Sequence, residues 1–433
     1  MVADDKLWRR LGMTRRQFLR AFGIASGALT LAPRWWEGFI RASTLAPTER
    51  VYVVKNGDCF QNMSRLWELL DGVERWISPT DVVVIKGNAQ WSRQGYTHTG
   101  CIKGMVDEVL AIPGYDGEIH ICDNVQVGSP YGFTATPGYQ REHNWPDHNW
   151  NSLAAAYQSA GDPVAATQWL NSESDITGPA DGPGWIRSYF PFYGRDSYFS
   201  YPVFASSLTP GRLIDMRHGI WENDSYTGRD VKAIVMATLN NHGSGGEDYA
   251  GVTSAIKSFL GATEMHNSWY SSTWNHNGQN HYHVHSTSYS RGRADYAGEL
   301  TAQYIRTMYA PVLYITAAIW SGHVSRTGDA VETKTVLAGT NPATLDYVAC
   351  REVISPHASW LNPDADNNTR RQITGCIAGG VGTIDPDLFE VVTYNFDNPT
   401  VTRLEIDRKI RDFRAGLATE AEVNALIQQY MEQ

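Results

Sequence analysis

The sequence predicts an α/β protein: a mostly parallel open sheet with helices on both faces. Three observations carry that expectation. The run DVVVIK at residues 81–86 is nearly continuous in β-branched residues, the pattern of a strand buried on both faces. Strand-like and helix-like segments alternate from residue 51 to residue 122, the rhythm of parallel strands joined by crossover helices. The same rhythm returns between residues 212 and 354.

Each element has its own signal. Residues 51–55 read as a short strand. Residues 60–77 read as a helix, with Phe60, Met63, Leu66, Trp67, Leu70, Val73 and Trp76 at helical spacing. After the strand 81–86 come a helix over 101–112 and a strand over 118–122. Residues 124–211 are rich in Gly, Pro, Asn, Tyr and Trp, and read as a large irregular insertion with one helical stretch between 151 and 170. Strands follow at 212–216 and 231–238, then a helix over 249–260. A second irregular insertion covers 261–293. A helix over 294–309, strands at 312–320 and 334–338 and a helix over 342–354 complete the core. The α/β domain thus spans 47–400, and a helical tail occupies 401–433. Its last helix starts at Glu420, where Thr419 and Glu422 have capping-box spacing.

The N-terminus looks like an address. Residues 14–20, TRRQFLR, place Arg15 and Arg16 before Phe18 and Leu19, and an uncharged apolar run follows to Pro33. That order is the one a twin-arginine signal has, used by proteins exported already folded. Its apolar run is too short and too rich in Gly, Ala and Ser to span a bilayer as a stable helix. Cleavage after Ala42 or Ala46 and retention as an N-terminal membrane anchor are both open. The expected location is bacterial, periplasmic or extracellular, with the twin-arginine export machinery as a partner. Residues 1–46 hold eight Lys/Arg and three Asp/Glu, so they carry +5 and the remainder −15 within the chain's total of −10. Such an acidic body argues against nucleic acid or anionic membrane as a partner. No later stretch is apolar over a membrane-spanning length.

The five cysteines, Cys59, Cys101, Cys122, Cys350 and Cys376, include no CxxC pair, so no iron–sulfur cluster is expected. No GxGxxG follows a strand, and no GxxxxGK[ST], GxSxG or HExxH occurs. The usual signals of nucleotide cofactors, P-loop nucleotidases, α/β-hydrolases and zinc proteases are therefore missing.

Several stretches resemble the domain of unknown function 362 family (DUF 362). VVIKGN at 83–88, THTGCIKGMVDEVL at 97–110 and GEIHICDN at 117–124 look like its opening strand, helix and second strand. NNHGSGGEDYAGVTSAIKSFLG at 240–261 resembles its central motif, a strand-end Lys-x-His followed by Gly-Val-Thr and a helical Lys. TKTVLAGTNPATLDYVA at 333–349 resembles its closing strand and helix. The resemblance covers roughly residues 80–355 and not the insertions. Here Asn240 stands where the family usually has Lys, Ser258 where Asn is common and Asn341 where Asp is frequent. The ferredoxin-type cysteines of some relatives are absent from the sequence. The resemblance implies a fold and a site location, and no reaction.

In open α/β sheets ligands bind beyond the carboxyl ends of the strands. Lys86 and Asn88, Asp123 and Asn124, and His242 occupy such positions. Gly251, Thr253 and Ser254 begin a predicted helix whose free N–H groups attract anions, and Lys257 sits one turn on. Lys86, Asp123, His242 and Lys257 are the candidate catalytic groups. Asn88, Asn124, Gly251, Thr253 and Ser254 are the candidate ligand contacts. The alternative is that Lys86 and Lys257 pair with Asp123 or Asp346 to hold the sheet edge. A second constellation, HNGQNHYHVHS, places His281, His283 and His285 at alternate positions with His276 before them. On one strand face they suit a transition metal such as zinc, iron or copper. The alternative is a solvated His-rich loop.

The sequence therefore leads to an exported enzyme acting on a small anionic or carbohydrate-like molecule, with metal assistance as an option. The rivals are a non-catalytic periplasmic binding protein and a redox or metal accessory protein.

Overall fold

The computed structural model describes residues 49–124, 139–169, 185–190, 195–243, 246–262, 293–399, 403–414 and 418–431. All of these fall in one unit running from Glu49 to Gln433. The unit begins with β1 (Glu49–Lys55) and α1 (Cys59–Leu69). Asp58 accepts hydrogen bonds from the Phe60 and Gln61 N–H groups, while the Gln61 side chain accepts from the Asp58 N–H. Such a box is worth about 1 kcal/mol. The helix expected over 60–77 stops at Leu69. Gly72 at φ +86° turns the chain into a short 3-10 segment, Val73–Arg75. The apolar periodicity ran on because Val73 and Ile77 are still buried.

Next come β2 (Val82–Lys86), α2 (Thr99–Leu110) and β3 (Glu118–Asn124). The first inserted region holds more order than its composition implied. It contains α3 (Trp150–Ala160) and β4 (Val164–Trp169), the edge strand of the main sheet. A hairpin follows, β5 (Trp185–Phe190) and β6 (Arg195–Ser200). Then β7 (Val203–Ala205), β8 (Leu213–Asp215), β9 (Gly219–Glu222) and β10 (Ser225–Tyr226) form a separate four-stranded sheet. The strand expected at 212–216 belongs to that small sheet, not to the main one. Its connections are too short for the crossovers that parallel pairing needs.

The main sheet resumes at β11 (Val231–Asn241) and the two-residue β12 (Val252–Thr253), followed by α4 (Ala255–Leu260) and α5 (Asp295–Thr307). The helix expected from 249 begins only at Ala255, because Val252 and Thr253 fold back onto β11. Then come β13 (Leu313–Gly322), β14 (Val331–Gly339) and α6 (Pro342–Ala349), which runs on into a π-helical turn at Cys350–Ile354. Asn341 caps α6 by accepting from the Ala343 N–H. Finally α7 (Asn368–Ala378), β15 (Phe389–Asn395), α8 (Arg403–Arg414) and α9 (Glu420–Met431) close the chain. The Thr419 hydroxyl accepts from the Glu422 N–H, and the Glu422 carboxylate accepts from the Thr419 N–H, so the expected capping box forms.

The strand order is β15-β1-β14-β13-β11-β2-β3-β4, with β12 beside the end of β11. Five successive strands from β13 to β4 are parallel, and β14 runs against both of its neighbours. The side chains of β2 show why helices cover both faces. Val82 and Val84 enter one core with residues of α4, α5, α6 and α7, whereas Val83 and Ile85 enter the other with α1, α2 and α3. Each of these four side chains is fully buried, contributing about 1.5–3 kcal/mol apiece by the transfer measure.

Candidate functional site

Because β2, β3, β11 and β13 are parallel, their carboxyl ends lie along one edge of the sheet. Lys86 and Asp123 meet there. Lys86 Nζ is 2.9 Å from Asp123 Oδ1, and both side chains are at most 3 % exposed. Lys86 also donates to the Gly87 carbonyl at 2.8 Å, and Asp123 Oδ2 accepts from the Ala89 N–H at 2.7 Å. This ion pair locks the loop after β2 to the end of β3. Removing one partner from such a pair costs about 3–5 kcal/mol. Asn88 is similarly engaged: its Oδ1 accepts from the Thr238 N–H and its own N–H donates to Thr97 Oγ1. Asn124 is the last residue of β3, paired across from Trp169.

His242 is not beside this pair. Lys86 is in register with Val235, and His242 lies seven residues further along. At ~3.3 Å per residue that is roughly 20 Å. Lys86, Asp123 and His242 thus share the expected edge of the sheet, with His242 further out along β11 than the ion pair.

A second group does assemble around His242. Asn240 and Asn241 pair with Thr253 and Val252, and the His242 N–H donates to the Gly251 carbonyl. This back-fold sets His242 Nδ1 2.6 Å from Thr253 Oγ1. Gly251 sits at φ +76°, a conformation that favours glycine, and a Cβ there would press on Gln372 Oε1. Asn240 accepts from the Gly322 N–H and donates to the Gln94 carbonyl. It ties three segments together at the strand ends.

The helix start after Thr253 is already occupied. Asp346 accepts from the Ala255 N–H at 2.8 Å and from the Ile256 N–H at 3.1 Å. Ser254 lies beneath, its Oγ 3.1 Å from Thr316 Oγ1. The N–H groups expected to bind an external anion thus serve an internal carboxylate. Burial raises the Asp346 carboxyl to about 7 against the pull of hydrogen bonds from Ser254, Ile256, Ala255 and Gln372. Lys257 is buried, and its ammonium donates to the Ala250 carbonyl. Burial lowers it to about 7. Asp248 and Asp346 oppose that shift and Arg326 reinforces it.

Arg326 is the group that the sequence reading missed. It lies in the turn between β13 and β14, with Nη1 3.4 Å from His242 Nε2. Its guanidinium carbon stands 4.1 Å from the centre of the Trp91 ring. Guanidinium only donates. His242 Nε2 must therefore accept, which puts the imidazole proton on Nδ1, facing Thr253. Among the described residues no carboxylate lies within salt-bridge distance of Arg326. Burial alone pulls it down to about 10. The strand-end rule applied to β13 would have pointed to this turn.

A cavity of about 450 Å³ lies elsewhere, between α1 and α2, lined by Glu68, Asp71, Glu74 and Glu108 among others. Its negative lining repels anions, so it is not the counterpart of the strand-edge group. The metal candidates His276, His281, His283 and His285 lie outside the described residues, and no group of three or more potential metal ligands occurs among the described ones. No helix among the described residues is long and apolar enough to cross a membrane. No protein-family model, curated protein or solved structure matches this chain.

Proposed function

We propose that the chain binds a small anionic molecule at the end of β11, with Arg326 and His242 as principal contacts, Thr253 beside them and Lys257 behind as an amine that a bound anion would help to charge. In this reading the protein is an exported member of the domain of unknown function 362 family, an enzyme acting on a small anionic or carbohydrate-like compound. The supporting observation is Arg326: a partly buried guanidinium held over Trp91, near the buried Lys257 amine, with no carboxylate within salt-bridge distance of the guanidinium among the described residues. A cation taken from water without a counter-ion is costly, and an incoming anion recovers that cost. A bound group that takes the place of the Arg326–His242 contact would free Nε2 to receive its proton, while the guanidinium steadies the negative charge that forms. Lys86 and Asp123 serve this reading as the lock of the strand ends, not as ligand contacts. No step is routed through a metal.

The test is calorimetric titration of the full chain with inorganic phosphate, sulfate and acetate. At least one should bind, and Arg326→Ala should weaken it about tenfold or more, as expected for loss of a charge-assisted contact. Failure of all three to bind, or an unchanged affinity in Arg326→Ala, removes the reading.

A further inference from the structure

The turn that carries Arg326 lies outside β13 and β14, yet its guanidinium stands at one place between Trp91 and His242. Gln94 is what holds the turn. It belongs to the single 3-10 turn Arg93–Gly95 and is 2 % exposed. Its Nε2 donates to the Ser325 carbonyl at 3.1 Å and to the Gly328 carbonyl at 3.0 Å, on either side of Arg326. Its Oε1 accepts from His143 Nδ1 at 2.8 Å. Its backbone carbonyl accepts from Asn240, two residues before His242. The amide can point only one way: reversed, it would set Oε1 against two carbonyl oxygens. Packing adds to the hydrogen bonds, since a Cβ on neighbouring Gly95 would lie 2.9 Å from the Arg326 carbonyl oxygen.

We propose that Gln94 is the positioning residue of the anion site: its carboxamide fixes the Ser325–Gly328 turn and thereby sets where the Arg326 guanidinium stands relative to His242. The proposal rests on the anion-site reading above. It also gives the first inserted region a part in the site. His143, stacked on Trp320 at 4.3 Å, takes up the one acceptor of the amide and so holds its orientation.

The experiment is a double-mutant cycle on the full chain, with whichever of inorganic phosphate, sulfate and acetate binds titrated by calorimetry and the melting temperature recorded for each variant. Gln94→Met keeps the side chain's length and removes its donors. It should weaken that anion about tenfold while the chain remains folded. In an Arg326→Ala background the same substitution should change nothing, because a positioning residue has no effect once the group it positions is gone. Should Gln94→Met fail to fold, His143→Ala removes one partner of the amide and leaves the turn intact. Its loss should be about threefold and should also vanish without Arg326. If Arg326→Ala weakens the anion and the folded Gln94 or His143 variant does not, the positioning role is overturned and the anion site stands. An equal loss in both backgrounds also overturns it. If wild type binds none of the three, or Arg326→Ala binds as well as wild type, the anion site falls and the positioning role with it.

Discussion

Lys257 and Asp346 are buried groups on neighbouring elements, and burial shifts both toward neutrality from opposite sides. The sign of each contribution follows from which state holds the proton. Between about 7 and its ordinary 10.5, Lys257 is protonated in the unfolded chain and not in the folded one, so stability rises with pH across that window. Between 3.8 and about 7, Asp346 holds a proton in the folded chain that the unfolded chain has released, so stability falls as pH rises. Together they put a minimum near neutrality, shallower to the extent that the two charges attract. Urea unfolding at pH 5, 7 and 9 checks this. Lys257→Met should remove the rise above 7, and Asp346→Asn the fall below it. A wild-type profile without a minimum, unchanged by either substitution, would show that neither group titrates in this range. At the same scale, Gly251→Ala should lower stability by about 1–2 kcal/mol, through its positive φ and the contact with Gln372.

Elements show why some of the molecule was legible in the sequence and some was not. DVVVIK fixed β2 because a doubly buried strand leaves an uninterrupted apolar run. The antiparallel β14 was hidden, since its own residues look like those of a parallel strand. The signal lay in what precedes it: eight residues separate β13 from β14, too few for a crossover, so the pair must be a hairpin. That hairpin carries Arg326 in its turn, four residues beyond the end of β13. The helix-start expectation at Gly251 failed for another reason. Nothing local marks Asp346, ninety residues away, as the acceptor for those N–H groups. The small sheet offers its own test. Glu118 of β3 accepts from Ser206 and Thr209 and pairs with Arg212 at 2.8 Å, while His120 lies 3.0 Å away. Burial raises its carboxyl, but the hydrogen bonds from His120, Thr209 and Ser206 outweigh it and bring the group down to about 2. A depressed carboxylate stabilises above its ordinary 4.5 and loses that contribution as pH falls toward 2. Hydrogen-exchange protection factors at Ile214 and Ile220 should therefore fall below about pH 4, ahead of those in β2 and β11. Glu118→Gln should lower them already at pH 6, and equal protection factors at pH 3 and 6 would remove Glu118 as the clasp. The His tract at 276–285 belongs to this scale as well. If it holds a transition metal, metal content should drop on acidification and in the His283→Ala/His285→Ala double variant, with the melting temperature of the core nearly unchanged. A full complement of metal in the variant, or none in wild type, would leave a solvated loop.

For the whole molecule the remaining question is how an acidic α/β body reaches its place of work. The first 46 residues carry +5 and the rest −15, and a basic leader ahead of an acidic passenger suits export through an energised membrane. The body is built in a way that would make folding before the proposed export useful. Its site depends on contacts far apart in sequence: Arg326 on His242, Gln94 on Ser325, Asp346 on Ala255. Strands β11 and β2 are neighbours although about 145 residues lie between them. A chain threaded unfolded would have to form all of these contacts after crossing, with β-branched strands such as VVVIK exposed meanwhile. A folded passenger avoids that exposure, and the pair Arg15-Arg16 with Phe18 and Leu19 is the signal that would commit it to that route. Replacing Arg15 and Arg16 with Lys preserves the charge and removes the pair. Fractionation should then find the protein in the cytoplasm, folded and still able to bind phosphate, because the site lies wholly beyond residue 48. Fusing residues 1–46 to a reporter that can only be exported folded should carry it across, and the Lys-Lys leader should not. Unchanged export of the Lys-Lys protein would overturn the twin-arginine assignment and leave the anion site untouched, because no group of that site belongs to the leader.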